Sequence, residues 1–139
     1  MILSFKKTFP DKSPTGFVQK ILSGQKIHTM REGERWKAGY YIHMATGTRT
    51  KNYDQFNIER PDLQKCIATQ KVVMVHKKNK TIGSLSVEID GRFLSGKEVA
   101  DLINNDGLTF GDFWQWFFPK GLKVEKWQGQ LIHWTHFKY

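Results

Sequence analysis

The spacing of chain-breaking signals limits the fold of this sequence more than any other feature. Ser13-Pro14, Gly24, Asp90-Gly91, Asn104-Asn105-Asp106-Gly107, Pro119 and Gln128-Gly129 cut the chain into short segments, with no internal repeat or long linker between them. Such segments suit short strands and helices. With 139 residues the chain is long enough for one core and too short for two ordinary domains, so residues 1–139 are expected to form a single domain. No stretch reaches the roughly 18 apolar residues of a membrane span, and the apolar run at Met1–Phe5 is too short for a signal peptide. A soluble, cytoplasmic protein with no membrane partner is expected.

Within these limits the local patterns assign elements. Ser13 is placed to cap a helix with Pro14 in its first turn, Phe17, Val18, Ile21 and Leu22 follow at helical spacing, and Gly24 ends it. Strands are expected over 27–31 and 40–44, separated by a charged loop through Glu32, Glu34 and Arg35. Further strands are expected over 66–76 and 81–89, separated by a turn at Lys77-Lys78-Asn79-Lys80. Asp90-Gly91 is a hairpin or turn signal. Ser95 with Glu98 forms a capping box before Val99, Ala100, Leu102 and Ile103, and Asn104–Gly107 ends that helix. Thr109 with Asp112 opens a third helix that Pro119 stops. The tail, 122–127 and 130–137 around Gln128-Gly129, reads as a closing hairpin. The sum is an α+β protein with a small curled sheet.

Charge narrows the partners. Lys and Arg number 22 against 13 Asp and Glu, a net +9 that favours polyanions such as nucleic acid. Lys65, Lys71, Lys77, Lys78 and Lys80 lie between Leu63 and Val87, a stretch with no acid. A single cysteine, Cys66, excludes an intramolecular disulfide and a Cys-rich zinc site. His133 and His136 fall on opposite strand faces, so neither a metal nor another cofactor is expected.

Four stretches in order resemble the ASCH family. They are Ile2-Leu3-Ser4-Phe5; then Gly24-Gln25-Lys26-Ile27-His28-Thr29-Met30-Arg31, which follows the family's Gly-x-Lys-x-x-(Thr or Glu)-x-Arg element; then Asn105-Asp106-Gly107-Leu108 with Asp112-Phe113, Trp116 and Phe117; and Gly129–Trp134. The resemblance implies a PUA-like small β-barrel bordered by short helices, with a cleft for RNA or a nucleoside. One branch of the family hydrolyses the acetyl amide of acetylcytidine. Carried over, its catalytic Lys and Thr fall on Lys26 and Thr29, and its Glu on Asp106, one methylene shorter. In that scheme Lys26 activates the Thr29 hydroxyl, Asp106 carries the proton to the leaving nitrogen, and Arg31 or backbone amides hold the oxyanion.

Each residue also has a plain reading: a strand threonine, a helix-exit lysine, a turn aspartate. In a regular strand Lys26 and Thr29 point to opposite faces, so convergence requires Lys26 to sit in the irregular turn after Gly24 or beside a bulge. For RNA the expected contacts are Lys26, Arg31 and Arg49, the last in the hydroxyl-rich Thr46–Lys51 loop, with Trp36 and Trp134 stacking on bases.

Overall fold

Ten hydrogen-bonded residues of one late strand, β8 (Val124–His133), form the axis of the larger sheet. The computed structural model describes residues 1–77, 84–119 and 124–139. Around β8 lie β2 (His28–Glu32) on one side and β5 (Ala68–Lys77), β6 (Leu85–Ile89) and β7 (Arg92–Phe93) on the other, in the order β2-β8-β5-β6-β7, every pair antiparallel. A smaller sheet, β1-β3-β4, joins Ile2–Ser4 in parallel to His43–Thr46, with Asp54–Gln55 at its edge. The helices are α1 (Phe17–Leu22), α2 (Gly96–Asn105) and α3 (Phe110–Phe117). Among the described residues the fold is α+β with two sheets, whose pairings do not close a barrel. Among those residues, no helix is long and apolar enough to cross a membrane.

Local chemistry accounts for the elements. Alternation along β5, with Ala68, Gln70, Val72, Met74 and His76 buried, puts one face against the core. Ser95 accepts the Glu98 amide while Glu98 reaches back to the Ser95 amide, the capping box expected for α2. Thr109 accepts the Asp112 amide at the start of α3. Asp90 and Gly91 take φ of 50° and 83° and form the two-residue turn between β6 and β7. One apolar cluster joins Leu3 and Met44 of the small sheet, Met74 and Leu131 of the large one, and Ile21, Leu102 and Phe113 of the three helices. Each such side chain contributes roughly 1.5–3 kcal/mol on burial.

Three sequence expectations fail here. Residues 124–133 are one continuous strand, not half of a hairpin turning at Gln128-Gly129. Gly129 serves a close approach instead: a Cβ there would lie 2.1 Å from the Arg31 carbonyl oxygen and 2.6 Å from Trp127 Cη2. Helix α1 starts after Gly16, whose φ is 63°, and has no side-chain cap. Pro14 is held extended by a bridge to Thr8, and Ser13 bonds Asp11, so the expected cap lies too far upstream. The second expected strand is displaced to His43–Thr46. The turn at Lys78-Asn79-Lys80, the start of the following strand at Thr81–Gly83, and Leu122-Lys123 of the tail lie outside the described residues.

Candidate functional site

Gly24, at φ 83°, turns the chain sharply out of α1, and the Lys26 amide returns to the Lys20 carbonyl at 2.9 Å. Lys26 therefore precedes β2 and escapes the strand alternation that would have opposed it to Thr29. The next amide, Ile27, donates to the Asn105 carbonyl at 2.9 Å, which ties the exit of α1 to the end of α2. That stitch brings the two motifs together. Lys26 Nζ donates to the Asp106 carbonyl at 2.5 Å and to Asp106 Oδ1 at 3.2 Å, and the lysine is 1% exposed. Its ammonium lies 4.7 Å from the Phe17 ring centre and 5.9 Å from that of Phe5. Gly107, at φ 77°, completes the corner; a Cβ there would meet Lys26 Cδ at 3.1 Å.

Asp106 Oδ1 also meets His28 Nδ1 at 3.2 Å, and His28 Nε2 meets the Tyr139 hydroxyl at 2.8 Å. Asn105 Nδ2 donates to that hydroxyl at 3.0 Å. One assignment satisfies every group: His28 is neutral with Nδ1–H donating to Asp106, and its Nε2 accepts from Tyr139. A second layer continues the chain of bonds. His133, edge-on to His28 at 5.4 Å, meets Gln70 Oε1 through Nε2 at 3.0 Å, and the Tyr139 amide donates to the same oxygen at 3.0 Å.

Burial dominates the electrostatics. It pulls the Lys26 amine down to about 8, against the Asp106 carboxylate, which favours the charged form; nearby Arg31 and Lys20 push the same way as burial. Burial likewise lowers His28, opposed by Asp106, and takes His133 to about 3, where His28 and Lys138 add to the effect. The Tyr139 phenol is raised, again chiefly by burial.

The other sequence-derived residues divide. Thr29 is 3% exposed on the strand face it shares with Arg31, and its hydroxyl is not a partner of either Lys26 or Asp106. Arg31 donates through Nη2 to the Ser4 carbonyl at 2.5 Å and lies over Phe5 at 5.2 Å, on the same ring that Lys26 approaches. Asp106 lies within electrostatic reach of Arg31, where it opposes the lowering caused by burial. Arg49 is exposed, at φ 64°, on the loop after β3 and makes no contact with this group. Trp36 and Trp134, expected to stack on bases, are each 2% exposed. Trp36 is clamped through its backbone by the Gln130 amide, and Trp134 packs edge-on against Phe5, so the core occupies the faces a base would need.

Sequence reasoning did not single out His28 or Tyr139 as site residues. His28 lies inside the same motif, on the strand face opposite Thr29; nothing local marks its meeting with a tyrosine 111 positions away.

Two hollows lie near β2 and α1, and neither is lined by Lys26 or Asp106. A hollow of about 260 Å³ is lined by Leu3, Ser4, Arg31, Arg35 and Trp36, with the Glu32 carboxylate at the same place. A second, of about 210 Å³, runs along Lys6, Lys7, Thr15, Phe17 and Thr46. Both follow the N-terminal segment and both present cations. Among the described residues no group of three or more His, Cys, Asp or Glu is placed to hold a metal. Comparison with family models, curated proteins and solved structures gives no match for this chain.

Proposed function

We propose that this chain is an ASCH-type protein with a PUA-like, incompletely closed strand arrangement, and that it binds RNA or a nucleoside. The observation that carries this reading is the hollow at Ser4, Arg31, Arg35 and Trp36. Arg31 is braced there by the Ser4 carbonyl and the Phe5 ring, and a guanidinium fixed in this way offers its remaining donors to a phosphate or to a base edge. The net charge of +9 supports the same partner. Lys26 and Asp106 stand behind Phe5 and set the potential without reaching the surface.

The test is a titration with single-stranded RNA across a salt series. Arg31→Gln with Arg35→Gln is expected to weaken binding at least tenfold and to reduce the slope of log Kd against log salt by about 1.4, the value for two lost phosphate contacts. An unchanged slope would remove this hollow from the interface.

One observation favours a second reading, an amidohydrolase acting on an acylated nucleoside such as acetylcytidine: an amine held near 8 can exchange protons close to neutral pH. In this scheme Lys26 takes the Thr29 proton as Oγ attacks the acetyl carbonyl. The C–N bond then breaks as that proton, passed from Lys26 Nζ to Asp106, is delivered to the leaving nitrogen, and water then hydrolyses the acyl-threonine, releasing acetate and restoring the hydroxyl. Arg31 faces the oxyanion. Acetate release that is abolished by Thr29→Ala, and that rises with pH through about 8, is the expected result; an inert wild-type protein ends this reading.

A further inference from the structure

Residues 8–14 form a turn whose conformation is fixed from several directions. Thr8 and Pro14 form an antiparallel bridge, the Phe9 amide donates to the Ser13 carbonyl at 2.8 Å, and the Lys12 amide donates to the Phe9 carbonyl at 2.9 Å. Asp11 locks the turn. Its Oδ1 accepts from the Ser13 amide and hydroxyl at 2.9 and 2.5 Å, and its Oδ2 accepts from Gln115 Nε2 at 3.2 Å. Gln115 Oε1 in turn accepts the Asp11 amide at 3.2 Å, which fastens the turn to α3. Lys12 is thereby held at φ 73°, a left-handed conformation uncommon for a lysine.

Between this turn and α3 lies a hollow of about 470 Å³, lined by Lys6, Thr8, Phe9, Pro10, Lys12 and Trp116. It is larger than the hollows at Arg31 and at Phe17 and within the range of small-ligand sites. Lys6 and Lys12 are exposed, and the Lys6 ammonium sits 5.9 Å from the Trp116 ring centre. The half-buried Trp116 is braced edge-on by Phe9 at 5.6 Å, so its orientation is fixed before any ligand arrives. The one carboxylate of the turn, Asp11, has both oxygens engaged in holding it.

We propose that this hollow is a second binding site, for a phosphate attached to a planar ring: a nucleoside 5′-phosphate, free or at the end of an RNA strand. Lys6 and Lys12 take the phosphate, the Thr8 hydroxyl donates to one of its oxygens, and the base stacks on Trp116. The site uses none of the residues of the Arg31 hollow, so the two stand or fall separately.

The experiment follows tryptophan fluorescence of the intact chain during titration with cytidine, cytidine 5′-monophosphate, inorganic phosphate, and a hexanucleotide RNA with and without a 5′-phosphate. The monophosphate is expected to bind at least tenfold more tightly than cytidine. Lys12→Asn, which suits a left-handed backbone and removes the charge, is expected to weaken it at least fivefold, as is Lys6→Gln. Lys12→Arg should retain binding, and Trp116→Phe should lose most of the quench. Preference for the 5′-phosphorylated RNA over the monophosphate assigns a strand end; equal or weaker RNA binding assigns the free nucleotide. Monophosphate binding no tighter than that of cytidine, or unaffected by both lysine substitutions, overturns the proposal. If nucleotide binding is lost in Arg31→Gln and intact in Lys12→Asn and Lys6→Gln, this second site is wrong while the Arg31 hollow survives.

Discussion

Lys26 places an ammonium where water does not reach, and a single carboxylate with its own backbone carbonyl answers it. Removing one partner of a buried pair leaves an uncompensated charge, which is more damaging than removing both. Asp106→Ala is therefore expected to cost about 3 kcal/mol in urea unfolding, and Lys26→Met combined with Asp106→Ala to recover more than half of that loss. A double variant no better than the single would place the loss at His28 Nδ1, the other partner of Asp106 Oδ1. Lys26 and Asp106 were legible in the sequence because the ordered motifs placed them at a helix exit and a helix end. His28, Tyr139 and the burial of Trp36 and Trp134 were not. Their places depend on which surfaces meet after folding, and no local pattern separates a stacking tryptophan from a core one.

At the scale of elements, the sequence resolved what local hydrogen bonding decides. The capping box of α2, the Asp90-Gly91 turn and the strand expected over 66–76 all stand where their residues put them. It misread Gly129, because glycine signals a turn and a close backbone contact alike. Only the pairing of β2 with β8, Glu32 opposite Gly129, shows which applies. Gly129→Ala would drive a methyl into the Arg31 carbonyl and is expected to lower stability by about 3 kcal/mol or more, read as a fall in thermal midpoint. An unchanged midpoint would place the β2–β8 contact elsewhere. The start of α1 escaped for a related reason: the Thr8 to Pro14 bridge, a tertiary feature, takes Pro14 out of the helix.

Across the whole molecule, two histidines kept neutral by burial link the fold to pH. Their folded values lie below the ordinary imidazole value near 6.5, so the unfolded chain binds more protons as pH falls through that value. The contribution of these two histidines to stability is full above about pH 6.5 and falls below it, for His133 until about pH 3. The groups facing them are Asp106, Lys26 and Tyr139 for His28, and His28, Lys138 and Asp90 for His133. Urea midpoints measured from pH 7 to 4 check this, and His133→Gln is expected to flatten the decline. The same buried layer holds the corner where Lys26 meets Asp106, and the charge of that corner rests on one amine. An NMR titration of the Lys26 Cε methylene measures it directly. A midpoint near 8, moved lower still in Asp106→Asn, is the expected result; a midpoint near the ordinary lysine value of about 10.4 in both proteins would contradict the buried pair.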